Sequence, residues 1–419
     1  MKTLLKNATI IDAQSPYHCL TKDILIESGT IIAIEDHLDL VECTRIEREH
    51  LHVSKGWFDS AVCFGEPGYE ERETLENGLE TAAKSGFTAV ILNPNTAPVL
   101  DTHANISHVL KVGSGHTTRL YANGTLSEAK KGNQMASLYD MHLAGAVAYG
   151  DYKETIANPN LMRIALDYVQ SFDGLLLAYP TDPQLSKNGL MHEGSVSTQL
   201  GLNGIPVVAE TTALARDLHL LEYTGGKLHI PFISSAASVS LIREAKKKEL
   251  DISCGVGLPH LFFTDDALQG FDTNLKIFPP IRDSKDRQSL REALLDGTID
   301  MVSSMHEPVN IEYKKVEFND ALSGSIGLEA AFGIMNTLFP LEKTIDFLTR
   351  GRERFKIKPV EIAVNATADL SLFAPDIQHT LEENALYSTS KNCAYTGTPI
   401  NGKVYGCIHD TKITLNELR

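Results

Sequence analysis

Lys55-Gly56-Trp57-Phe58-Asp59-Ser60-Ala61-Val62-Cys63-Phe64-Gly65-Glu66-Pro67-Gly68-Tyr69 decides the fold of this chain. Trp57, Phe58, Val62 and Phe64 give it the apolar, β-rich composition of a buried strand, and Glu66-Pro67-Gly68 ends it with turn residues. A helix is expected next: Leu75, Leu79 and Ala82/Ala83 share one face, and Gly86 stands where a glycine closes a helix. Phe87–Asn93 then reads as a second buried strand. Strand, helix and strand in this order make a βαβ unit.

The same alternation continues downstream. Strands are expected at Thr118–Ala122, Ala144–Tyr149, Gly174–Tyr179, Lys227–Ser234, Asp251–Val256 and Thr298–Met305. Helical spacing marks Leu161–Phe172, Thr211–Tyr223, Ala237–Lys248 and Asp286–Leu295. The pattern predicts a (β/α)8 TIM barrel over residues 54–357. Upstream lie short alternating strands, Leu4–Asp12, Asp23–Ser28 and Thr30–Glu35, with a weaker one near Arg45. Strands return at Ala368–Phe373 and Lys403–Ile408. Residues 1–53 and 358–419 are therefore expected to pair as one small β-sandwich domain.

Composition narrows the function classes. A formal net charge of -16 argues against nucleic acid or an anionic membrane as partner. No apolar run approaches the roughly 18 residues of a membrane span, and Met1–Asp12 reads as a strand and not as a leader. Cys19, Cys43, Cys63, Cys254, Cys393 and Cys407 show no CxxC spacing, so they read as reduced thiols of a cytoplasmic protein.

Gly56–Gly68, with Thr74-Leu75-Glu76-Asn77-Gly78, Gly86-Phe87-Thr88 and Asn93-Pro94-Asn95-Thr96, resembles the first barrel unit of dihydroorotase, a metal-dependent hydrolase of the amidohydrolase superfamily. Later landmarks share the family's order, among them Gly145-Ala146-Val147-Ala148, Pro279-Pro280-Ile281-Arg282 and Gly327-Leu328-Glu329. The resemblance implies pyrimidine biosynthesis and a one- or two-zinc site whose hydroxide opens a ring amide. It also implies where the ligands should be. The family pattern Gly-Phe-Ile-Asp-x-His-x-His-Phe-Arg-Glu-Pro-Gly puts Ala61 and Cys63 at its two histidines and Gly65 at its substrate-binding arginine. Tyr179 and Phe232 stand at the histidines of strands five and six, and Met305 at the catalytic aspartate of strand eight. Phe278 replaces a substrate asparagine and Val309 a substrate histidine. Asn95 matches a substrate asparagine that is kept, and Asp151 a bridging aspartate.

Beside the resemblance stand plainer readings. Asp151 alone suits a loop or helix cap, and Cys63 a small buried hydrophobe. His229, three residues before Phe232, is expected to point to the opposite face and to be structural. Ala61, Cys63, Tyr179, Phe232, Phe278 and Met305 are expected to converge and fill the barrel mouth with apolar bulk. No cofactor is then expected, although related active enzymes carry zinc. Cys63 and Asp151 remain weak metal candidates, and Cys63, Asp151 and His306, with His192 or His260, form an alternative set. The expected function is a metal-free, catalytically inactive dihydroorotase-like protein, a homo-oligomer or companion of aspartate transcarbamoylase. The alternative is an active cyclic amidohydrolase with an altered metal site or substrate.

Overall fold

The structure, a computed structural model, describes residues 2–416, so residue 1 and residues 417–419 of the expected small domain lie outside it. Eight strands build the larger half: β1 (Trp57–Val62), β2 (Phe87–Leu92), β3 (Arg119–Gly124), β4 (Ala148–Tyr149), β5 (Leu176–Leu177), β6 (Leu228–Ile230), β7 (Ile252–Gly257) and β8 (Met301–Ser303). Each pairs in parallel with the next. Between β8 and β1 the ring closes through specific groups. The Cys63 N–H donates to the His306 carbonyl at 2.8 Å. Asp59 accepts from the Ser303 hydroxyl at 2.7 Å and from the Ser304 N–H at 2.8 Å. The result is a (β/α)8 barrel.

Side chains alternate as a pleated strand requires. On β2, Val90 and Leu92 join the large cluster under the helices, while Ala89 and Ile91 join the barrel interior. Trp57, Val62 and Phe64 likewise face outward, and Phe58, Ala61 and Cys63 inward. The helix Leu75–Lys84 starts as its sequence dictates, with the Thr74 side chain accepting from the Asn77 N–H at 3.1 Å.

Several strands are shorter than their apolar runs suggest. Ala144 closes the helix Leu138–Leu143 and Gly145 turns the chain at φ +103°, so β4 begins only at Ala148. Pro231 has no N–H to offer a ladder, and β6 stops at Ile230. Met305 takes a left-handed φ of 53°, which an extended strand cannot contain.

Both chain ends meet in a second sheet of eight strands, which includes Lys2–Ile11, Thr21–Glu27 and Thr30–Glu35 from the start, and Asp369–Thr380 and Pro399–His409 from the end. His52–Lys55 is its seam, parallel to Lys2–Ile11 and antiparallel to Asp369–Thr380. It is one continuous sheet. Ile24 and Ile34 of one arm share a buried cluster with Leu372 and Ile408 of the other.

The joint between sheet and barrel is the quoted stretch itself. Gly56 donates to the Asp369 carbonyl at 2.8 Å, and a Cβ on Gly56 would meet Thr88 Oγ1 at 1.9 Å. Trp57 stacks on Phe332 with ring centroids 4.7 Å apart and lies 5.5 Å from Phe373. Buried Arg352 ties the joint: it donates to Asp369 Oδ2 at 2.8 Å, to the Gly56 carbonyl at 2.7 Å and to Thr88 Oγ1 at 2.6 Å. Burial alone would raise the Asp369 carboxyl, but Arg352, with His409 and Thr88, holds it far below the usual range.

Arg352→Ala leaves that carboxylate buried without its main cation and is expected to cost about 3–5 kcal/mol in urea unfolding at neutral pH. Because the folded pKa of Asp369 is depressed, its contribution is full above the unfolded value of about 3.9 and fades as pH falls toward the folded one. Wild-type stability should therefore drop through that acid window, and the variant should show a shallower drop.

Candidate active site at the barrel mouth

At the C-terminal end of the strands, where barrels of this kind hold their chemistry, the interior is packed with side chains. Ala61 and Cys63 follow from β1, Tyr179 from β5, Phe232 from β6 and Met305 from β8, and all five belong to one buried cluster with Tyr152. Tyr152 meets Tyr179 edge to face at 5.5 Å, and Tyr179 lies 6.3 Å from Phe232. The Met305 sulfur rests on Gly257, where a Cβ would approach it to 1.9 Å.

Most of the polar atoms among them pair with one another, while Asn123 Oδ1 is buried without a partner. The Cys63 thiol hydrogen-bonds with the Tyr152 hydroxyl and accepts from Asn93 Nδ2 at 3.7 Å. The Tyr179 hydroxyl donates to Asn93 Oδ1 at 3.4 Å, and Asn123 Nδ2 donates to the same oxygen at 3.5 Å. Burial, and then the charge of Glu307, push the Cys63 thiol up to about 12. Burial holds the Tyr152 and Tyr179 hydroxyls well above the ordinary tyrosine value.

This donor set does not fit a catalytic zinc, which takes imidazole nitrogens, thiolates or carboxylates. Ala61, Phe232 and Met305 offer none of these, and burial disfavours ionisation of Tyr179 and Cys63. Asp151 is buried, but its oxygens are committed elsewhere. Oδ1 accepts from the Leu126 and Ser127 N–H groups at 2.9 and 3.0 Å, and Oδ2 accepts from the Ser127 hydroxyl. Burial raises its carboxyl against those hydrogen bonds. It braces the loop after β3.

Two expectations need correction, and the alternative set weighed beside them does not form. Phe278 is half-buried and belongs to none of the buried clusters, because Ile277 beside it turns into a separate cluster with Leu275 and Phe318. His229 does not point away from the interior. Its Nδ1 pairs with Ser253 Oγ at 2.8 Å, and its ring meets Phe355, itself part of the interior cluster, at 5.4 Å. Strand alternation fails here because β6 ends before Phe232. The alternative set of Cys63, Asp151 and His306 with His192 or His260 is not assembled. His306 Nε2 turns to Glu73 at 2.9 Å, His260 Nε2 to the Pro279 carbonyl at 2.9 Å, and His192 Nδ1 to Arg282 at 3.2 Å. Among the described residues, the donor groups that do cluster are His192 with Asp283 and Asp286, and His18 with Cys19 and Glu342. Neither includes an interior residue.

Outside the packed interior a small cavity of about 110 Å³ survives, lined by Cys63, Gly65, Arg72, Asn95, Glu307 and Val309 among others. Asn95 Oδ1 is buried there without a partner. A Cβ on Gly65 would lie 1.8 Å from the Tyr69 carbonyl, so this loop has closed over the space a longer side chain needs. Arg72 stacks on Tyr69 at 4.1 Å. Lys153 pairs with Glu307 at the rim. Tyr152, Asn93, Asn123 and Arg72 were not singled out from sequence. Asn93 sits in the quoted Asn93-Pro94-Asn95-Thr96 run, and Tyr152 beside Asp151, so both carried a positional signal.

The comparisons agree on a family. Residues 53–238 match the family model described as Dihydro-orotase-like. The chain is 35% identical to a dihydroorotase of Pelotomaculum thermopropionicum over 424 aligned residues, covering 100% of this chain and 99% of that protein. It is 35% identical to a dihydroorotase of Syntrophotalea carbinolica, covering 99% of each. In fold it is similar to the L-hydantoinase (dihydropyrimidinase) of Arthrobacter aurescens, with a TM-score of 0.85, 21% identity, and 100% of this chain and 97% of that one covered.

Two measurements check this geometry. Gly65→Arg should lower the urea midpoint by the equivalent of about 1–3 kcal/mol, since the new Cβ collides with backbone. In the folded chain after chelator treatment, a maleimide should label Cys19 and Cys43 within minutes and spare Cys63, Cys254, Cys393 and Cys407, read by mass spectrometry. Rapid labelling of Cys63 would mean a thiolate is accessible at the mouth.

Proposed function

The chain belongs to the dihydroorotase family of cyclic amidohydrolases, and from that membership we propose that it is a member that no longer hydrolyses its ring amide and works through its surface. One observation carries the reading. The positions that would supply metal ligands and the proton shuttle are occupied by Ala61, Cys63, Tyr179, Phe232 and Met305, packed against one another in one cluster.

Ring opening requires an activated water, a group to carry its proton to the leaving nitrogen, and a cation for the substrate carboxylate. Met305 cannot carry a proton. Cys63, pushed up to about 12, does not act as a base near neutrality. Gly65 offers no guanidinium. The packed interior leaves only a cavity of about 110 Å³ beside Cys63 and Asn95. The role that remains is structural. We assign it to a homo-oligomer or to a companion subunit of a pyrimidine-pathway enzyme, with aspartate transcarbamoylase as the partner the family resemblance suggests.

A second reading, a cyclic amidohydrolase with altered chemistry, has one observation in its favour. The cavity at Arg72 and Asn95 still presents a guanidinium and an unpaired amide oxygen. The two readings separate in an assay of carbamoyl aspartate and dihydroorotate in both directions, with and without added zinc. The first expects no conversion above buffer. It also expects Ala61→His/Cys63→His to stay silent, because strands five, six and eight would still lack partners for those histidines. Turnover abolished by a chelator would establish the second. A tagged chain isolated from its native cell should bring aspartate transcarbamoylase with it; isolation alone would remove the companion role.

A further inference from the structure

A different group of donors stands outside the barrel, at the loop after the first strand of the small sheet. His18 Nε2 lies 3.3 Å from Cys19 Sγ and 3.6 Å from Glu342 Oε1, and Cys19 Sγ lies 4.0 Å from the same carboxylate oxygen. Zinc bonded to one imidazole, one thiolate and one carboxylate holds donors roughly 3.4–3.6 Å apart along its tetrahedral edges. The three side chains already approach that triangle. We propose that His18, Cys19 and Glu342 form a binding site for a zinc-type divalent ion, its fourth position open to water, which staples the small sheet to the barrel.

The donors come from two separately anchored elements. The loop is held at both ends: Cys19 N–H donates to the Ile10 carbonyl at 2.7 Å, and Ile10 N–H to the Leu20 carbonyl at 3.0 Å. Its middle is pinned to the far side of the chain, where Asp12 accepts from the Ile362 N–H at 3.0 Å and Ser15 donates to the Ile362 carbonyl at 2.5 Å. Glu342 sits in the first turn of the helix Leu341–Thr349. His18 Nδ1 is buried without a partner among the described residues, so Nε2 is the ring atom presented to Cys19 and Glu342.

Donor chemistry sets the ion. A sulfur and a nitrogen exclude magnesium and calcium, which take oxygen ligands, and favour zinc or a similar first-row ion. Binding displaces the Cys19 thiol proton to solvent, and the thiolate and carboxylate together neutralise the ion's two charges. The cluster of His192, Asp283 and Asp286 differs. There Nδ1 accepts from Arg282, which leaves Nε2 protonated and unable to ligate.

The test is a cobalt titration of the full chain after chelator treatment. The expected result is one equivalent bound, with a near-ultraviolet thiolate-to-cobalt band and the visible bands of a tetrahedral site. Cys19→Ser should abolish the near-ultraviolet band, and Glu342→Gln, on the other element, should weaken binding at least tenfold. Zinc should raise the melting temperature of wild type and leave that of Cys19→Ser unchanged. A titration with no thiolate band, or one that Cys19→Ser and Glu342→Gln leave as in wild type, overturns the site. A band that instead disappears in Cys63→Ala puts the ion in the barrel, overturning this site and, separately, the metal-free reading of the mouth. Should Cys19→Ser fail to fold, Glu342→Gln alone decides by the same criteria.

Discussion

Asp59 is the constraint on which the mouth of this barrel depends. Its carboxylate is buried and accepts three hydrogen bonds: from Ser303 Oγ, from the Ser304 N–H, and from the Ala61 N–H at 3.0 Å. A desolvated carboxylate is tolerated only when hydrogen bonds replace its water, and here they come from both sides of the seam between the last strand and the first. The same bonds set the neighbours. Ala61 is fixed two residues on. Ser303 Oγ in turn accepts from the Met305 N–H at 3.1 Å, holding Met305 in a left-handed conformation that costs a non-glycine residue roughly 1–2 kcal/mol. The scaffold thus still aims two positions of the site, while the side chains aimed are a methyl group and a thioether.

Under the proposed metal-free reading the residues at the mouth are coherent as a set. Imidazoles and carboxylates kept in a buried site without an ion would have to be desolvated with no partner. Exchanging them for Ala61, Tyr179, Phe232 and Met305 removes that cost and adds packing. The polar groups there, Asn93, Asn123, Tyr152 and Cys63, hydrogen-bond to one another, with Asn123 Oδ1 left unpaired.

Much of the fold was legible because long apolar runs and turn residues are local signals. β1, β2 and the helices at Thr211–Tyr223 and Ala237–Lys248 stood out for that reason. β4 and β5 are only two residues each, too short to register, and were placed by rhythm alone. At the mouth, the family resemblance pointed to Ala61, Cys63, Tyr179, Phe232 and Met305, and the barrel brings these five into one cluster. The fate of His229 and Phe278 could not be read. Each depends on where a strand stops or how a loop turns, and a change of one residue there reverses a side chain. Phe355, which reaches the interior from beyond the last strand, is a contact distant in sequence that no local pattern announces. The His18, Cys19 and Glu342 triangle was invisible for the same reason, since its third member is 323 residues away from Cys19.

The barrel interior is filled by its own side chains, and Ala61, Tyr179, Phe232 and Met305 there offer no ordinary zinc donor. Crystals soaked in zinc and measured on both sides of the zinc absorption edge test this directly. No anomalous peak is expected among Cys63, Asp151, Tyr179, Phe232 and Met305, whatever is bound at the surface. A fully occupied ion between Cys63 and Asp151, with Tyr179 or Met305 displaced to admit it, would contradict it.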